Sequence, residues 1–122
     1  MHLADPDLLR TEGFLNGCWC QAADGSRMEV VNAASREAFA EVPRMGPADA
    51  TRAIDAAATA LPNWKRLVAH ERGAVLRRWC GLVRESTEDL ARLIPAEGGK
   101  PLAEARGEVA YAAGFLEWFS EG

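Results

Sequence analysis

Alanine-rich helical patterns dominate the chain after position 46 and limit what it can fold into. The sequence of 122 residues contains 23 alanines, most of them after position 47. Alanine is the best helix former, and its short side chain lets helices approach each other closely. Residues 47–122 are therefore predicted to be helical, within one domain at most for a chain of this length.

The spacing of apolar residues divides this region into four helices. The first begins at Pro47 and ends at Leu61, before Pro62, and the second runs from about Ala69 to Arg84. The third begins at a capping-box-like Ser86-x-x-Asp89, and the fourth runs from Pro101 to the last residues. The stripes predicted to face inward are Ala50, Ile54, Ala57 and Leu61; Val75, Leu76, Trp79, Leu82 and Val83; Leu90, Leu93 and Ile94; and Leu102, Ala105, Val109, Ala112, Leu116 and Phe119.

Residues 1–46 show short strand patterns instead of helical ones. Phe14-Leu15 and Cys18-Trp19 flank Asn16-Gly17, the pair preferred in a type I′ hairpin turn. Further strands are predicted at 28–31, after a turn at 23–26, and at 38–42. Such short strands do not form a stable sheet alone, so we expect a helix layer or a larger sheet to cover them.

Composition and charge exclude several classes of protein. The 14 basic and 18 acidic residues give a formal charge of −4, which makes nucleic acid an unexpected partner. No apolar run approaches the length of a membrane helix, and the amino terminus has no signal-peptide pattern, so we expect a soluble, cytoplasmic protein without a membrane partner. An odd number of cysteines, three, favours reduced thiols over disulfides.

The thiols and imidazoles offer one candidate metal site. Cys18-x-Cys20 has a spacer of one residue, whereas zinc-binding pairs usually have two to four, and the remaining donors are Cys80, His2 and His70. Residues two apart on a strand face the same side, so both cysteines also fit a role as small packing residues. His70 lies near a helix start with no nucleophile placed beside it, which is typical of a surface histidine. We predict no metal ligands.

Two other motifs also fall short of a catalytic site. Gly98-Gly99-Lys100-Pro101 lacks the first glycine and the hydroxyl residue of a phosphate-binding loop, so a turn between helices explains it better. Glu104 and Glu108 share one helix face, where paired carboxylates can act in acid–base chemistry. A solvated face with an exposed Lys100–Glu104 pair is the favoured interpretation. The residues alone predict no catalytic or cofactor-binding group.

Eight segments, taken in order, form a recognisable pattern. They are Phe14-Leu15-Asn16-Gly17-x-Trp19, Val31-Asn32-Ala33-Ala34, Val42-Pro43-Arg44-Met45-Gly46, Ala53-Ile54-Asp55-Ala56-Ala57, Leu61-Pro62-x-Trp64, Glu71-Arg72, Glu97-x-Gly99-Lys100-Pro101-Leu102-Ala103-Glu104-Ala105 and Tyr111 to Phe119. Together they resemble aldehyde dehydrogenases, and the last two segments are most similar to those of bacterial succinate-semialdehyde dehydrogenases. The resemblance begins at about Leu8 and continues to the end without obvious gaps, and it corresponds to roughly the first quarter of such an enzyme.

The resemblance implies an α/β parent fold, a Rossmann-like cofactor domain of which residues 1–122 form the α-rich N-terminal part. The family oxidises small aldehydes with NAD or NADP, using a cysteine nucleophile and a glutamate that activates water. Neither motif occurs in this sequence, so the chain alone is expected to bind no cofactor and to be inactive, while the parent is expected to be a homo-oligomer. The resemblance also places Phe115, Trp118 and Phe119 beside the substrate entrance; the alternative is that they only pack.

Several residues depart from the family pattern. Arg36 replaces a turn glycine, Ala33 replaces a proline, and Pro95 and Gly98 replace helix residues. A proline inside a helix costs about 3 kcal/mol unless the helix is already ending. Pro95 and Gly98 both loosen the turn before the fourth helix, which fits a product no longer selected for activity.

The apolar stripe of the fourth helix supports an alternative function, because such a stripe must be covered by something. The alternative is a small helical interaction module that associates with itself or binds a full-length dehydrogenase subunit.

Overall fold

The computed structural model describes residues 1–122 and begins with a 3-10 turn at Pro6–Leu8 followed by two β-hairpins. Strands β1 (Gly13–Leu15) and β2 (Cys18–Cys20) pair in antiparallel register around Asn16-Gly17. These two turn residues have φ angles of 52° and 75°, which is the type I′ geometry that the sequence predicts.

The second hairpin forms a separate two-stranded sheet. Strands β3 (Arg27–Val31) and β4 (Ala38–Pro43) are antiparallel, with an irregularity between Val30 and Val31. In the turn between them Arg36 has a φ of 65°. Because a side chain is strained in the left-handed region, this angle explains why a glycine suits the position.

Four helices follow, as predicted: α1 (Pro47–Arg66), α2 (Ala69–Glu85), α3 (Thr87–Gly98) and α4 (Leu102–Ser120). The prediction that the first helix ends at Leu61 is wrong, because α1 continues through Pro62. Proline removes the bond to the carbonyl of Ala58; Ala58 is exposed, so water can satisfy that carbonyl. None of the helices is long and apolar enough to cross a bilayer.

The third helix begins differently from the capping box that the sequence predicts. Ser86 makes no side-chain capping bond. Asp89 instead accepts hydrogen bonds from the backbone of the N-terminal segment. The helix ends at the turn that the sequence predicts between helices, since Gly99 adopts a left-handed conformation with φ 74° directly after α3. Pro95 lies in the final turn of this helix, three residues before its end.

The core is small and lies where α2, α3 and α4 meet. Its centre is Ala91, Ala105 and Val109, against which three partly buried apolar residues pack, namely Val83, Leu90 and Ile94. Only 12 of 122 residues are buried, and no large side chain is fully enclosed. The helices are therefore held together by small side chains, which bring their backbones close.

The predicted inward stripes are only partly correct. Ala105 and Val109 of α4 are buried as predicted, but Ala113 takes the place of Ala112, and Leu102 and Phe119 are exposed. On α2, Gly73 and Cys80 are buried in place of the larger apolar residues. The predicted inward residues that the structure leaves exposed are Ala50, Ile54, Ala57, Leu61, Val75, Trp79, Leu82, Leu102, Ala112 and Phe119.

The exposed stripes have a common physical cause. These helices carry apolar side chains on more than one face, so periodicity alone does not select the face that packs. Helix α4 shows this best, since it buries Ala105, Val109 and Ala113 on one side and exposes Phe115 and Trp118 on another. A helix with two apolar faces is typical of an element packed between two layers.

Candidate functional site

The three predicted entrance residues lie together on the exposed side of α4. Phe115, Trp118 and Phe119 retain 48%, 74% and 65% of their exposed surface, respectively. With Tyr111 they line an open groove of about 520 Å³, and Ala110 and Gly114 complete its lining. Tyr111, which the sequence did not single out, contacts Phe115 edge to face with ring centroids 4.8 Å apart.

The chemistry of this aromatic groove is that of a binding surface. Its lining contains no charged side chain, and its polar side-chain groups are the phenol of Tyr111 and the indole N–H of Trp118. Such a lining can exclude water and hold apolar groups, but it offers no nucleophile and no carboxylate or imidazole for acid–base chemistry. The signal that could have revealed Tyr111 is its spacing of four residues from Phe115.

Two ion pairs fix the helix that carries the groove. Glu117 of α4 accepts from Arg84 of α2 at 2.8 Å. Arg106 of α4 donates two bonds to Glu88 of α3, at 2.8 and 3.0 Å. The arginine partners lower the pKa of Glu117 and of Glu88, because they hydrogen-bond to the charged carboxylates. Both pairs are exposed, so their contribution is to orientation more than to stability.

The last turn of α4 also contacts α2 through backbone atoms. Ser120 is buried, and its carbonyl accepts a hydrogen bond from Arg77 at 3.2 Å. The same carbonyl oxygen would be only 2.4 Å from a Cβ added to Gly73, so the contact requires a glycine at that position. The end of α4, next to Trp118 and Phe119, therefore packs closely against Gly73 of α2.

The buried carboxylate of Asp89 holds the N-terminal segment against α3. Its two oxygens accept from the backbone N–H groups of Ala4 and Asp5, each at 2.8 Å. Nearby, Leu3 is buried and Arg92 donates to the carbonyl of His2. The pKa of Asp89 is lowered, first by the bond from Ala4 and then by that from Asp5.

Asp49 plays a similar part at the start of α1. Its carboxylate accepts from the backbone N–H of Gly46 at 3.0 Å and from that of Ala23 at 2.9 Å, and it pairs with Arg52. These bonds lower the pKa of Asp49, and the one from Gly46 has the largest effect. The two buried aspartates are thus structural anchors between segments.

The remaining candidates stay apart from one another. Cys18 is exposed and Cys20 half-buried on β2, whereas Cys80 is buried in α2 and its thiol donates to the carbonyl of Ala113. No group of three histidine, cysteine or acidic residues is arranged to hold a metal ion. His70 lies exposed in the first turn of α2.

The Gly98–Pro101 motif is a turn between α3 and α4, as predicted. The expected partner of Lys100 is wrong, however. Lys100 pairs with Glu108, the residue two turns into α4, and not with Glu104. The exposed carboxylates on this face are therefore solvated or paired, as the sequence favoured.

The chain is similar in sequence to one family of enzymes. The sequence model of the aldehyde dehydrogenase family matches residues 19–122. The chain belongs to the aldehyde dehydrogenase family. Among its relatives, the glutarate-semialdehyde dehydrogenase of Pseudomonas putida is 52% identical over 121 residues, and the NADP+ succinate-semialdehyde dehydrogenase of Escherichia coli is 48% identical over the same length.

The extent of the match matters as much as the identity. Each alignment covers 99% of this aldehyde dehydrogenase chain but 25% of the relative. The crystal structure of an E. coli NADP-dependent enzyme superposes with a TM-score of 0.95 at 48% identity, again over 98% of this chain and 25% of that one. The chain therefore has the fold of the α-rich N-terminal part of these enzymes and spans about a quarter of their length.

Proposed function

We propose that these residues form the N-terminal part of an NAD(P)-dependent dehydrogenase that oxidises succinic semialdehyde to succinate. The observation that carries the proposal is the continuous similarity, over 99% of the chain, to enzymes named for semialdehydes that end in a carboxylate. One of these relatives is named for the five-carbon glutarate semialdehyde and another for the four-carbon succinate semialdehyde. Glutaric semialdehyde is therefore the alternative substrate whose oxidation should be compared with that of succinic semialdehyde.

We further propose that the 122 residues alone catalyse no aldehyde oxidation. The exposed aromatic groove has no nucleophile, and the one buried thiol, Cys80, is enclosed between α2 and α4. In Rossmann folds the dinucleotide is bound at a glycine-rich turn that leads from a strand into a helix. Gly98-Gly99 instead joins two helices. The NAD(P) site and the catalytic groups are thus assigned to the part of the parent enzyme that this chain does not cover.

The contribution of this chain to the parent would be structural and, at α4, a wall of the substrate entrance. We assign Phe115, Trp118 and Phe119 to that wall. Their support is threefold: they are exposed, they line one apolar groove, and α4 packs on α2 and α3 through its other, buried side. An apolar wall would favour passage of the methylene chain of the substrate, while the carboxylate is bound elsewhere.

A chimera tests the proposed function. The N-terminal quarter of the E. coli succinate-semialdehyde dehydrogenase is replaced by these 122 residues, and NADPH formation is followed with succinic and with glutaric semialdehyde. We expect activity with the chimera and none with the 122 residues alone. A folded chimera without activity, or NADPH formed by the short chain, would contradict the proposal.

The entrance residues are tested in the same chimera. Trp118→Ala is expected to change KM for the aldehyde more than kcat, because an entrance residue does not touch the reacting atoms. Arg78→Ala, at an exposed position of α2 outside the groove, is the matched control and should leave both constants unchanged. Equal effects of the two substitutions would remove Trp118 from the entrance.

The exposed aromatic face of α4 also supports a second candidate, a helical module that pairs with its own copy. Contiguous exposed apolar surface is typical of protein interfaces. A saturable, stoichiometric dimer of the 122-residue chain would favour this function. Open-ended aggregation would instead favour the proposal that the chain is one part of a dehydrogenase.

A further inference from the structure

Helices α1 and α2 each present an apolar face that the rest of the chain leaves substantially exposed. The face of α2 consists of Val75, Trp79 and Leu82, which are 50%, 57% and 52% exposed, respectively. On α1 the corresponding residues are Ile54, Leu61 and Trp64, with 68%, 45% and 38% exposure. These six residues are here called the docking surface. They are separate from the aromatic groove, which lies on α4.

Helix α1 needs a covering layer for a physical reason. Its 20 residues contain one buried side chain, that of Asp49 in the first turn. Further along the helix, an open groove separates α1 from the β1–β2 hairpin. Isolated helices are marginal in water, and helices in proteins are stabilised mainly by packing of an apolar face. A helix of this length with this much apolar exposure is therefore built to be packed against another element.

The length of the relatives shows that they contain further polypeptide that could cover the docking surface. They are about four times longer than this chain, since it matches 25% of each. The backbone of this portion superposes on such an enzyme with a TM-score of 0.95. A surface that keeps its shape within the longer chain is suited to bind the polypeptide that adjoins it there, even when the two are not covalently joined.

We propose that the 122-residue chain binds in trans to a semialdehyde dehydrogenase polypeptide that lacks its own N-terminal quarter, and that the docking surface forms the contact. The proposal rests on the proposed function, because it takes this chain as the equivalent of the missing quarter. Its binding energy comes from burial of the apolar side chains of α1 and α2, of which Trp79 has the largest area to lose.

Co-expression provides the test. The tagged 122-residue chain is produced together with the E. coli NADP+ succinate-semialdehyde dehydrogenase from which the matching N-terminal quarter has been deleted. Affinity purification followed by native mass spectrometry reports the stoichiometry, and NADPH formation reports whether the assembly is productive. We expect an equimolar complex that oxidises succinic semialdehyde, whereas neither polypeptide does so alone.

Two charge-introducing substitutions locate the contact. Trp79→Glu is expected to weaken the complex by at least tenfold, about 1.4 kcal/mol. Arg78→Glu, at the adjacent exposed position on the same helix, should leave it intact. Circular dichroism shows whether each variant is folded, and Ile54→Glu on α1 serves in place of Trp79→Glu if that variant does not fold.

Three results would overturn the proposal. They are the absence of any complex, a complex that Trp79→Glu leaves unchanged, and a homodimer of the short chain that Trp79→Glu disrupts, which would make a second copy the occupant. The covalent chimera described above separates these failures from failure of the proposed function. An active chimera without a complex in trans overturns this inference alone, and an inactive folded chimera overturns both.

Discussion

The contact between α2 and the end of α4 makes a quantitative prediction about two glycines of one helix. Gly73 faces the carbonyl of Ser120, and a Cβ added there would lie 2.4 Å from that oxygen. Gly81, two turns further along α2, would place a Cβ in open space. Both residues are helical, so alanine gains about 0.8–1.0 kcal/mol of helix propensity at either position.

The two substitutions are therefore expected to have opposite effects. Gly81→Ala should raise the free energy of unfolding by nearly the full propensity term, about 0.8 kcal/mol. At Gly73 the same gain is opposed by overpacking, which typically costs about 1–3 kcal/mol. The net change for Gly73→Ala is a loss of up to about 2 kcal/mol, so the two variants should differ by roughly 1–3 kcal/mol.

Urea and thermal unfolding of the 122-residue chain, followed by helical circular dichroism, measure this difference. A change of 1 kcal/mol corresponds to a melting shift of about 2–8 °C in domains near this size, so the two variants should separate clearly. If Gly73→Ala stabilises the chain as much as Gly81→Ala does, the last turn of α4 does not rest on α2, and the orientation of the aromatic groove described above is wrong.

Four further substitutions and a pH titration test other parts of the structure. Arg36→Gly should stabilise the chain by up to about 1 kcal/mol, because it relieves a left-handed residue, while Arg36→Ala keeps the Cβ and should give no such gain in the same unfolding assay. Val109→Ala should destabilise by about 2 kcal/mol, since it removes two buried methyl groups and leaves a cavity; an unchanged urea midpoint would place Val109 outside the core. The pKa values of Asp49 and Asp89 are lowered in the folded chain, so their contribution is complete above the unfolded pKa, near pH 4, and is lost as the pH falls through the folded value. Stability measured from pH 6 to pH 2 should fall over that acidic range, and Asp89→Asn should reduce the slope; a slope that Asp89→Asn leaves unchanged would exclude the N-terminal bonds as its source.

Local features of the fold were predictable because local chemistry decides them. Asn16-Gly17 tolerates positive φ at both positions, and Gly99 takes the left-handed conformation after α3, so both turns follow from residue type. The four helices follow from alanine content and apolar spacing in the same way. The end of α1 could not be predicted in this way, because the cost of Pro62 depends on whether water can reach the carbonyl of Ala58 that the proline leaves without a partner.

The packing faces were less predictable, since they depend on partners that periodicity does not encode. Large apolar residues such as Trp79 were expected inside, yet the contact between α2 and α4 uses Gly73, Cys80 and Ala113. A sequence pattern assigns one inner face to each helix, whereas these helices have a second apolar face. The role of Asp89 escaped prediction for a related reason, as its partners at Ala4 and Asp5 are about 85 residues away along the chain.

The three residues expected at the substrate entrance share one groove, but their role at an entrance stays a prediction. Family resemblance placed Phe115, Trp118 and Phe119 together, and the structure brings them onto one groove of α4. The participation of Tyr111 and the absence of charge in the lining became evident only with the helix in place. Residue spacing showed which side chains share a face, but the packing of α2 and α3 determines which face remains open.

The two faces of α4 should be subject to different kinds of selection. Substitutions at Ala105, Val109 and Ala113 disturb the chain itself, so they would be rejected in any setting in which it must fold. Substitutions at Phe115 and Trp118 leave this packing untouched and matter only where another molecule or another part of the enzyme contacts them. Parallel mutational scans, one selecting for folding of the short chain and one for growth dependent on the chimera, would therefore tolerate different positions on the same helix and map its two roles one residue at a time.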